Sequence, residues 1–312
     1  MLAAVITAFG GPDVFALDDV PDPVGGPVRI DPILIDVTLA GVDPGDLARR
    51  RGFGGPPLPA VLGADVVGRR RYDGRRVAAL LGTGGGYARV AAAPARHVVE
   101  IPDEVGDAPA LAVLGPGLTA WHCLHTLGRI DPDDVVVVTA AAGGVGHLAV
   151  QMARAAGARV IGLASTPMRR EFARGMGAHA TADSRHPDVG AALDEAPTLV
   201  LDGVGGRMFT QLRAVLAPFG RMVTYSGPVG AFTADEVRAT STGVLGFALP
   251  RLLDDEELYR SSASRLFHLV GRGLLNPRVG GVYPLSRVGR AHADLEDRVV
   301  SGRAVIDVRR LD

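Results

Sequence analysis

Residues 135–165 read VVVVTAAAGGVGHLAVQMARAAGARVIGLAS, which is a strand, a glycine-rich turn, a helix and a second strand in succession. Val135 to Val138 is continuously β-branched, as a parallel strand covered on both faces must be. A helix is expected over 145–156, ending at Gly157, with a new strand from Arg159. In the turn, Gly143 lets the backbone approach a pyrophosphate, Gly146 lets the helix pack closely on the strand, and the free N–H groups of the helix start suit phosphate charge. Ala142, Gly143, Gly144, Val145 and Gly146 are therefore candidate dinucleotide contacts. Ala141 stands where the usual fingerprint has its first glycine, so the motif reads AxGxxG and takes its weight from its flanks. The second strand discriminates between cofactors. An NAD site carries Asp or Glu at the end of that strand to bind the ribose 2′-OH. This strand ends in Ala164, Ser165 and Thr166, followed by Arg169 and Arg170. Hydroxyls and guanidinium forks suit a 2′-phosphate, so NADPH is favoured over NADH.

Composition narrows the class. A chain of 312 residues with 47% hydrophobic content can bury the cores of two domains. The net charge of −1 carries no nucleic-acid footprint. All 33 basic residues are arginine, so no lysine can serve as Schiff-base nucleophile or general acid. The single cysteine, Cys123, allows neither an intramolecular disulfide nor a cysteine-rich zinc site and fits a reducing cytoplasm. The opening MLAAVITAFGGPDVF has no basic leader, and no uninterrupted apolar stretch of about 18 residues occurs, so neither secretion nor membrane association is expected.

Outward from the crossover, residues 1 to about 110 show short β-rich runs such as ILIDVTLAG and YARVAAAPARHVVEIP, broken by GFGGPPLP and GTGGG. Residues 115–249 alternate strands and helices: VVVVTA, RVIGLA, a helix near 168–176, TLVLDGVG, a helix near 207–217, and GRMVTYSG. That alternation builds a parallel sheet. Residues 250–312 hold a helical run from Leu258 to Val270 and end near AVIDV, a strand without a partner nearby that is expected to return to the first region's sheet. The fold class is α/β, a doubly wound parallel sheet over 115–249 with a β-rich domain made of 1–114 and 250–312.

In this order the chain resembles the medium-chain dehydrogenase/reductase superfamily, within it the zinc-free quinone oxidoreductase and enoyl reductase branch that includes zeta-crystallin-like proteins. AFGGPDVF, GVDPGDLARRRG, LPAVLGADVVG, DGRRV, GPGLTAW, TAAAGGVGHLAVQMARAAGA, LDGVGG, FGRMVTYSG and YPLSRVGRAHADLEDRVVSGRAVIDV carry the resemblance over nearly the whole chain. It implies a GroES-like substrate domain around a Rossmann domain, with cofactor and substrate between them. It also implies hydride transfer from reduced nicotinamide to a conjugated carbonyl, with positioning and electrostatics supplying the catalysis. The zinc-dependent branch needs a GHE-type ligand stretch, and the corresponding LGADVVG has none. His122, Cys123 and His125 in WHCLH are read as helix residues with Cys123 rotated away, so no metal site is expected.

The resemblance assigns further residues. Asp43 and Asp46 fall where the family has an Asn and an Asp lining the nicotinamide end. Asp43 departs from that Asn and is a candidate acid, or simply starts the turn with Pro44 and Gly45. Thr119 matches a threonine near the nicotinamide, or caps a helix. Gly203, Ser226 and Gly227 lie after successive strands, at the carboxyl edge where open α/β sheets bind ligands. Arg303 matches a basic position that reaches the cofactor. Ala48 and Gly54 replace family tyrosines, which widens the pocket for a bulkier small-molecule substrate. TGVLGFALPRLL resembles the strand through which relatives pair their sheets, so a homodimer is expected. Two other functions fit the same features: a redox-neutral isomerase or cyclase, and a protein that holds NADPH without turnover.

Overall fold

A computed structural model describes residues 1–24, 31–82 and 84–312, so Thr83 of GTGGG lies outside the described residues. The broken apolar runs at the start of the chain fold as short strands: β1 (Leu2–Ile6), β2 (Phe15–Asp19), β3 (Ile33–Val42), β4 (Ala60–Val61), β5 (Asp65–Arg70), β6 (Arg76–Leu80), β7 (Val90–Ala93) and β8 (Val98–Glu100). Their glycines and prolines end each run before it grows long. One helix, α1 (Pro44–Arg50), interrupts this region. The mostly β reading of residues 1–110 missed it. Asp43 and Pro44 make a helix start there as well as a turn: the side chain caps and the ring occupies the first helical position.

The helix α2 (Asp107–Trp121) was also not foreseen at this length, because Pro116 and two glycines read as breakers. Its consequence for Thr119 is direct. Thr119 lies inside α2, so the helix-capping alternative is corrected. The WHCLH segment continues as a π-helical stretch over His122–Leu127 rather than a plain α-helix.

Then come β9 (Val135–Val138), α3 (Gly146–Ala155), β10 (Arg159–Ala164), α4 (Pro167–Gly175), β11 (Ala180–Asp183), β12 (Leu199–Asp202), α5 (Gly206–Ala214), β13 (Arg221–Thr224), α6 (Ala234–Thr240) and β14 (Gly243–Gly246). The six strands form one wholly parallel sheet in the order β11-β10-β9-β12-β13-β14. Val137, Ile161, Leu163, Val200 and Met222 from its strands pack on Met208, Phe209 and Leu212 of α5 in one core. The order reverses between β9 and β12, which is the switch point of a doubly wound sheet.

The chain closes with α7 (Leu249–Leu252), α8 (Glu256–Gly271), β15 (Val279–Pro284), α9 (Val288–Glu296) and β16 (Arg303–Asp307). The terminal strand does return to the first region's sheet, pairing antiparallel with β3. It also has a neighbour close in sequence, which corrects the reading of AVIDV as a strand without one. β15 runs parallel to β16 with α9 between them. Gly280 and Gly281 hid β15 from a propensity reading. The resulting mixed sheet runs β15-β16-β3-β5-β6-β8, with β7 also on β3. A second sheet, β2-β1-β4, is antiparallel.

The chain divides into two compact units, Met1–Gly115 with Pro250–Asp312, and Pro116–Leu249. In the first, β3 alternates in burial over Ile33–Val37 and is buried throughout from Leu39 to Val42.

Candidate functional site

In the unit of residues 116–249, the candidate cofactor residues line up along the carboxyl ends of the parallel strands. The turn after β9 begins at Ala140, whose φ of +45° places an alanine in the left-handed region. That conformation aims the Ala140 carbonyl at the Gly143 N–H, 2.7 Å away. A side chain on Gly146 would collide with the same carbonyl and with Ala141, so only glycine lets α3 start this close to β9. No side chain caps α3, whose N-cap is Val145, whereas α1, α4, α6 and α8 are all capped by Asp or Thr. The His147 and Leu148 N–H groups are taken by the Gly143 and Val145 carbonyls, so what the turn can offer an external acceptor is the backbone of Gly144, Val145 and Gly146. Gly143, Gly144 and Val145 are half-buried, and Ala142 is buried beneath them. This cradle fits a dinucleotide phosphate.

At the switch point, Thr139 Oγ1 accepts from the Gly203 N–H at 2.8 Å and donates to Asp202 Oδ1 at 3.3 Å. Asp202 also takes the N–H groups of Val204 and Gly205. Gly203 therefore offers close backbone approach and not its N–H. The Tyr225 ring occupies the place its side chain would fill. Ser226 is half-buried and Gly227 exposed just after β13.

After β10, Thr166 is the N-cap of α4, its hydroxyl accepting from the Arg169 N–H at 3.3 Å. Ser165 is half-buried beside it. Arg169 is only 8% exposed. Arg170 is engaged too, pairing with Asp183 at 3.1 Å.

His122 and Cys123 of the π-helical stretch are buried. His122 Nδ1 lies 2.8 Å from Thr126 Oγ1, and its ring stacks on Phe247 at 5.8 Å. Burial, then the charge of His125, holds its pKa below the usual histidine value, and burial raises the Cys123 thiol. Among the described residues no group of three His, Cys, Asp or Glu side chains could hold a metal ion. Thr119 is buried one turn before His122.

In the β-rich unit the structure brings Asp43, Asp46 and Arg303 together and adds residues that sequence reasoning missed. Asp43 and Asp46 form a capping box: Asp43 Oδ1 accepts from the Asp46 N–H at 3.1 Å, and Asp46 Oδ2 from the Asp43 N–H at 3.3 Å. Asp46 is fully buried and also accepts from the Gly63 N–H and the Tyr87 hydroxyl, each at 3.2 Å. Burial, and then the charges of Asp43 and Asp65, push its pKa well above the usual carboxylate range. The Tyr87 oxygen lies 3.0 Å from His292 Nε2. Burial, reinforced by Arg50, lowers His292 to about 3, so its ring is neutral.

Arg303 is 5% exposed and bound through Nη2 to both oxygens of buried Asp65, at 2.6 and 2.8 Å. Burial raises Asp65 to about 6 against the opposing pull of Arg303. Gly41 of β3 makes room for this pair, since a side chain there would overlap Arg303 Nη2 and Asp65 Oδ1. An acid inside the apolar run LGADVVG was the one available signal for Asp65. Tyr87 and His292 gave none, because an aromatic or a lone histidine in an apolar segment reads as core.

Comparison with known proteins agrees with this architecture. Residues 144–259 match the family described as zinc-binding dehydrogenase. A quinone oxidoreductase of Pseudomonas aeruginosa is 30% identical over 96% of this chain and 97% of its own. A 2-haloacrylate reductase of a Burkholderia species is 29% identical over 98% of each. A mycobacterial protein solved in complex with NADPH superimposes with a TM-score of 0.91, at 30% identity over 98% of this chain and 99% of its own. The chain belongs to the quinone oxidoreductase branch of the medium-chain dehydrogenase/reductase superfamily.

Proposed function

We propose that the protein is an NADPH-dependent reductase of quinones or α,β-unsaturated carbonyl compounds. The observation that carries this reading is the end of β10, which lacks the acid of an NAD site and presents Ser165, the Thr166 cap and Arg169. NADPH bound in a structural relative of the same fold supports it. When bound, NADPH supplies a hydride to the electrophilic carbon. The chain's own residues hold and orient: the uncapped start of α3 takes the pyrophosphate, Arg169 turns toward the 2′-phosphate, and Gly203 and Gly227 let the dinucleotide lie close to the sheet edge. The Thr119 hydroxyl is assigned to the carboxamide or the substrate oxygen, and Asp43, Asp46 and Arg303 to the reacting end. With no lysine in the chain, the proton that completes the reduction comes from water or from another group such as Asp43.

The test is equilibrium binding of NADPH and NADH by nucleotide fluorescence, with quinone and enone turnover followed at the reduced-nicotinamide absorbance. NADPH should bind at least tenfold more tightly than NADH, and Arg169→Ala should cut that preference several-fold. Equal binding of the two nucleotides by the parent protein rejects the cofactor assignment. Tight binding with a conversion that consumes no NADPH favours the redox-neutral reading.

A further inference from the structure

His147, the second residue of α3, is fully buried. Its Nδ1 stands 2.8 Å from the Gly143 carbonyl oxygen, and its backbone N–H donates to the same oxygen at 3.1 Å. A carbonyl oxygen only accepts, so Nδ1 carries a hydrogen. One residue thus gives two donors to a single acceptor in the glycine turn. The ring is packed between this turn and Phe172 of α4, the two ring centroids lying 6.2 Å apart. Gln151 ties the same helices one turn later, its Nε2 reaching the His147 carbonyl at 3.1 Å and Met176 Sδ at 3.7 Å.

The Gly143 carbonyl and the Gly144 N–H belong to one trans peptide, in which the two groups point in opposite directions. Drawing the oxygen toward His147 therefore turns the Gly144 N–H the other way. That N–H has no acceptor among the described residues, and Gly144 and Val145 are half-buried. The peptide lies between two glycines, so no Cβ resists its rotation. A flip would present the carbonyl oxygen to a phosphate in place of the N–H.

We propose that His147 is the positioning residue of the pyrophosphate turn: it fixes the Gly143–Gly144 peptide so that the Gly144 N–H faces the cofactor's phosphates. This rests on the reading that the turn takes the pyrophosphate, and every residue it invokes belongs to the unit of residues 116–249. His147 touches no ligand. It acts through the Gly143 oxygen, and burial strengthens that bond by keeping water from competing for it. Donors oriented before the cofactor arrives cost less to order when it binds.

The experiment measures ADP-ribose binding, by displacement of NADPH fluorescence, for the parent protein, His147→Leu and His147→Asn. ADP-ribose carries the pyrophosphate without the nicotinamide or the 2′-phosphate, so it reports on the turn. Leucine fills the site and has no donor, whereas the Asn amide sets an N–H where Nδ1 stands. His147→Leu should bind ADP-ribose about tenfold more weakly, the effect of one hydrogen bond, and His147→Asn should stay within about threefold of the parent. A parent that binds neither nucleotide rejects the cofactor reading and this proposal with it. A parent that binds NADPH while ADP-ribose fails to displace it overturns the proposal alone. So does a His147→Leu protein that binds ADP-ribose as tightly as the parent, or a His147→Asn protein as weak as His147→Leu. Should His147→Leu fail to fold, nitrogen NMR of the parent labelled at histidine decides: a hydrogen on His147 Nδ1 supports the proposal, and a bare Nδ1 overturns it.

Discussion

Asp46, Tyr87 and His292 form a chain of polar contacts enclosed by apolar side chains, and the way they titrate follows from that enclosure. His292 is neutral in the fold, its pKa lowered to about 3 from an ordinary 6.5, with Phe15 edge-on at 4.8 Å. A depressed histidine contributes stability that is fully present above pH 6.5 and is lost as the pH falls toward 3, because only the unfolded chain takes up the proton. Asp65 works in the opposite sense. Raised to about 6, it contributes stability that is present below pH 3.8 and lost as the pH rises through 6. The difference between the parent and His292→Gln isolates the first effect, since both contain Asp65. Urea unfolding should show the parent losing about 2 kcal/mol more than His292→Gln between pH 7.5 and pH 5. Parallel pH profiles for the two proteins would mean that His292 is protonated in the fold.

Helix starts divide the elements into two kinds. α1, α4, α6 and α8 close their own first turns with Asp or Thr, and α3, α5 and α9 have no side-chain cap. Thr166→Ala should therefore cost about 1 kcal/mol in urea unfolding through loss of the α4 cap. It should also weaken NADPH binding more than NADH binding, because the same turn presents Ser165 and Arg169. Stability and nucleotide preference both unchanged would separate Thr166 from the helix and from the cofactor alike. The elements were legible in proportion to their local signal. VVVVTA, AAGGVGH and RVIGLAS announced β9, α3 and β10, since buried parallel strands are apolar throughout and the turn is rich in glycine. α2 and β15 were not legible, because Pro116 and Gly280 with Gly281 oppose the structures that packing imposes on them. The site divides in the same way. Backbone-defined candidates such as Gly143, Gly146 and Gly203 could be read from glycine spacing and from their place after strands. Asp65, Tyr87 and His292 belong to the network only through tertiary pairing, which puts residue 65 beside residue 303 and residue 87 beside residue 292.

At the scale of the whole molecule, β14 is a terminal strand of the parallel sheet, and Leu245 on it is 36% exposed. An apolar sheet edge of this kind is a template for a second copy. Sedimentation should give the mass of two chains, and Leu245→Lys should shift it toward one. A single-chain mass for the parent would remove β14 from that role.

The β-rich unit is assembled from both ends of the sequence, and the pair Asp65–Arg303 joins positions 238 residues apart. During synthesis the acid therefore emerges long before its counter-ion. At ribosomal speed, about 5–20 residues per second, Asp65 waits for roughly 12–48 s. Until then β3 also lacks β16 as a neighbour, whereas the parallel sheet in the middle of the chain has every strand it needs once Gly246 is made. The nascent polypeptide should mature from its centre outward, with protease resistance arriving first in the nucleotide-holding portion and last in the segment that was made earliest.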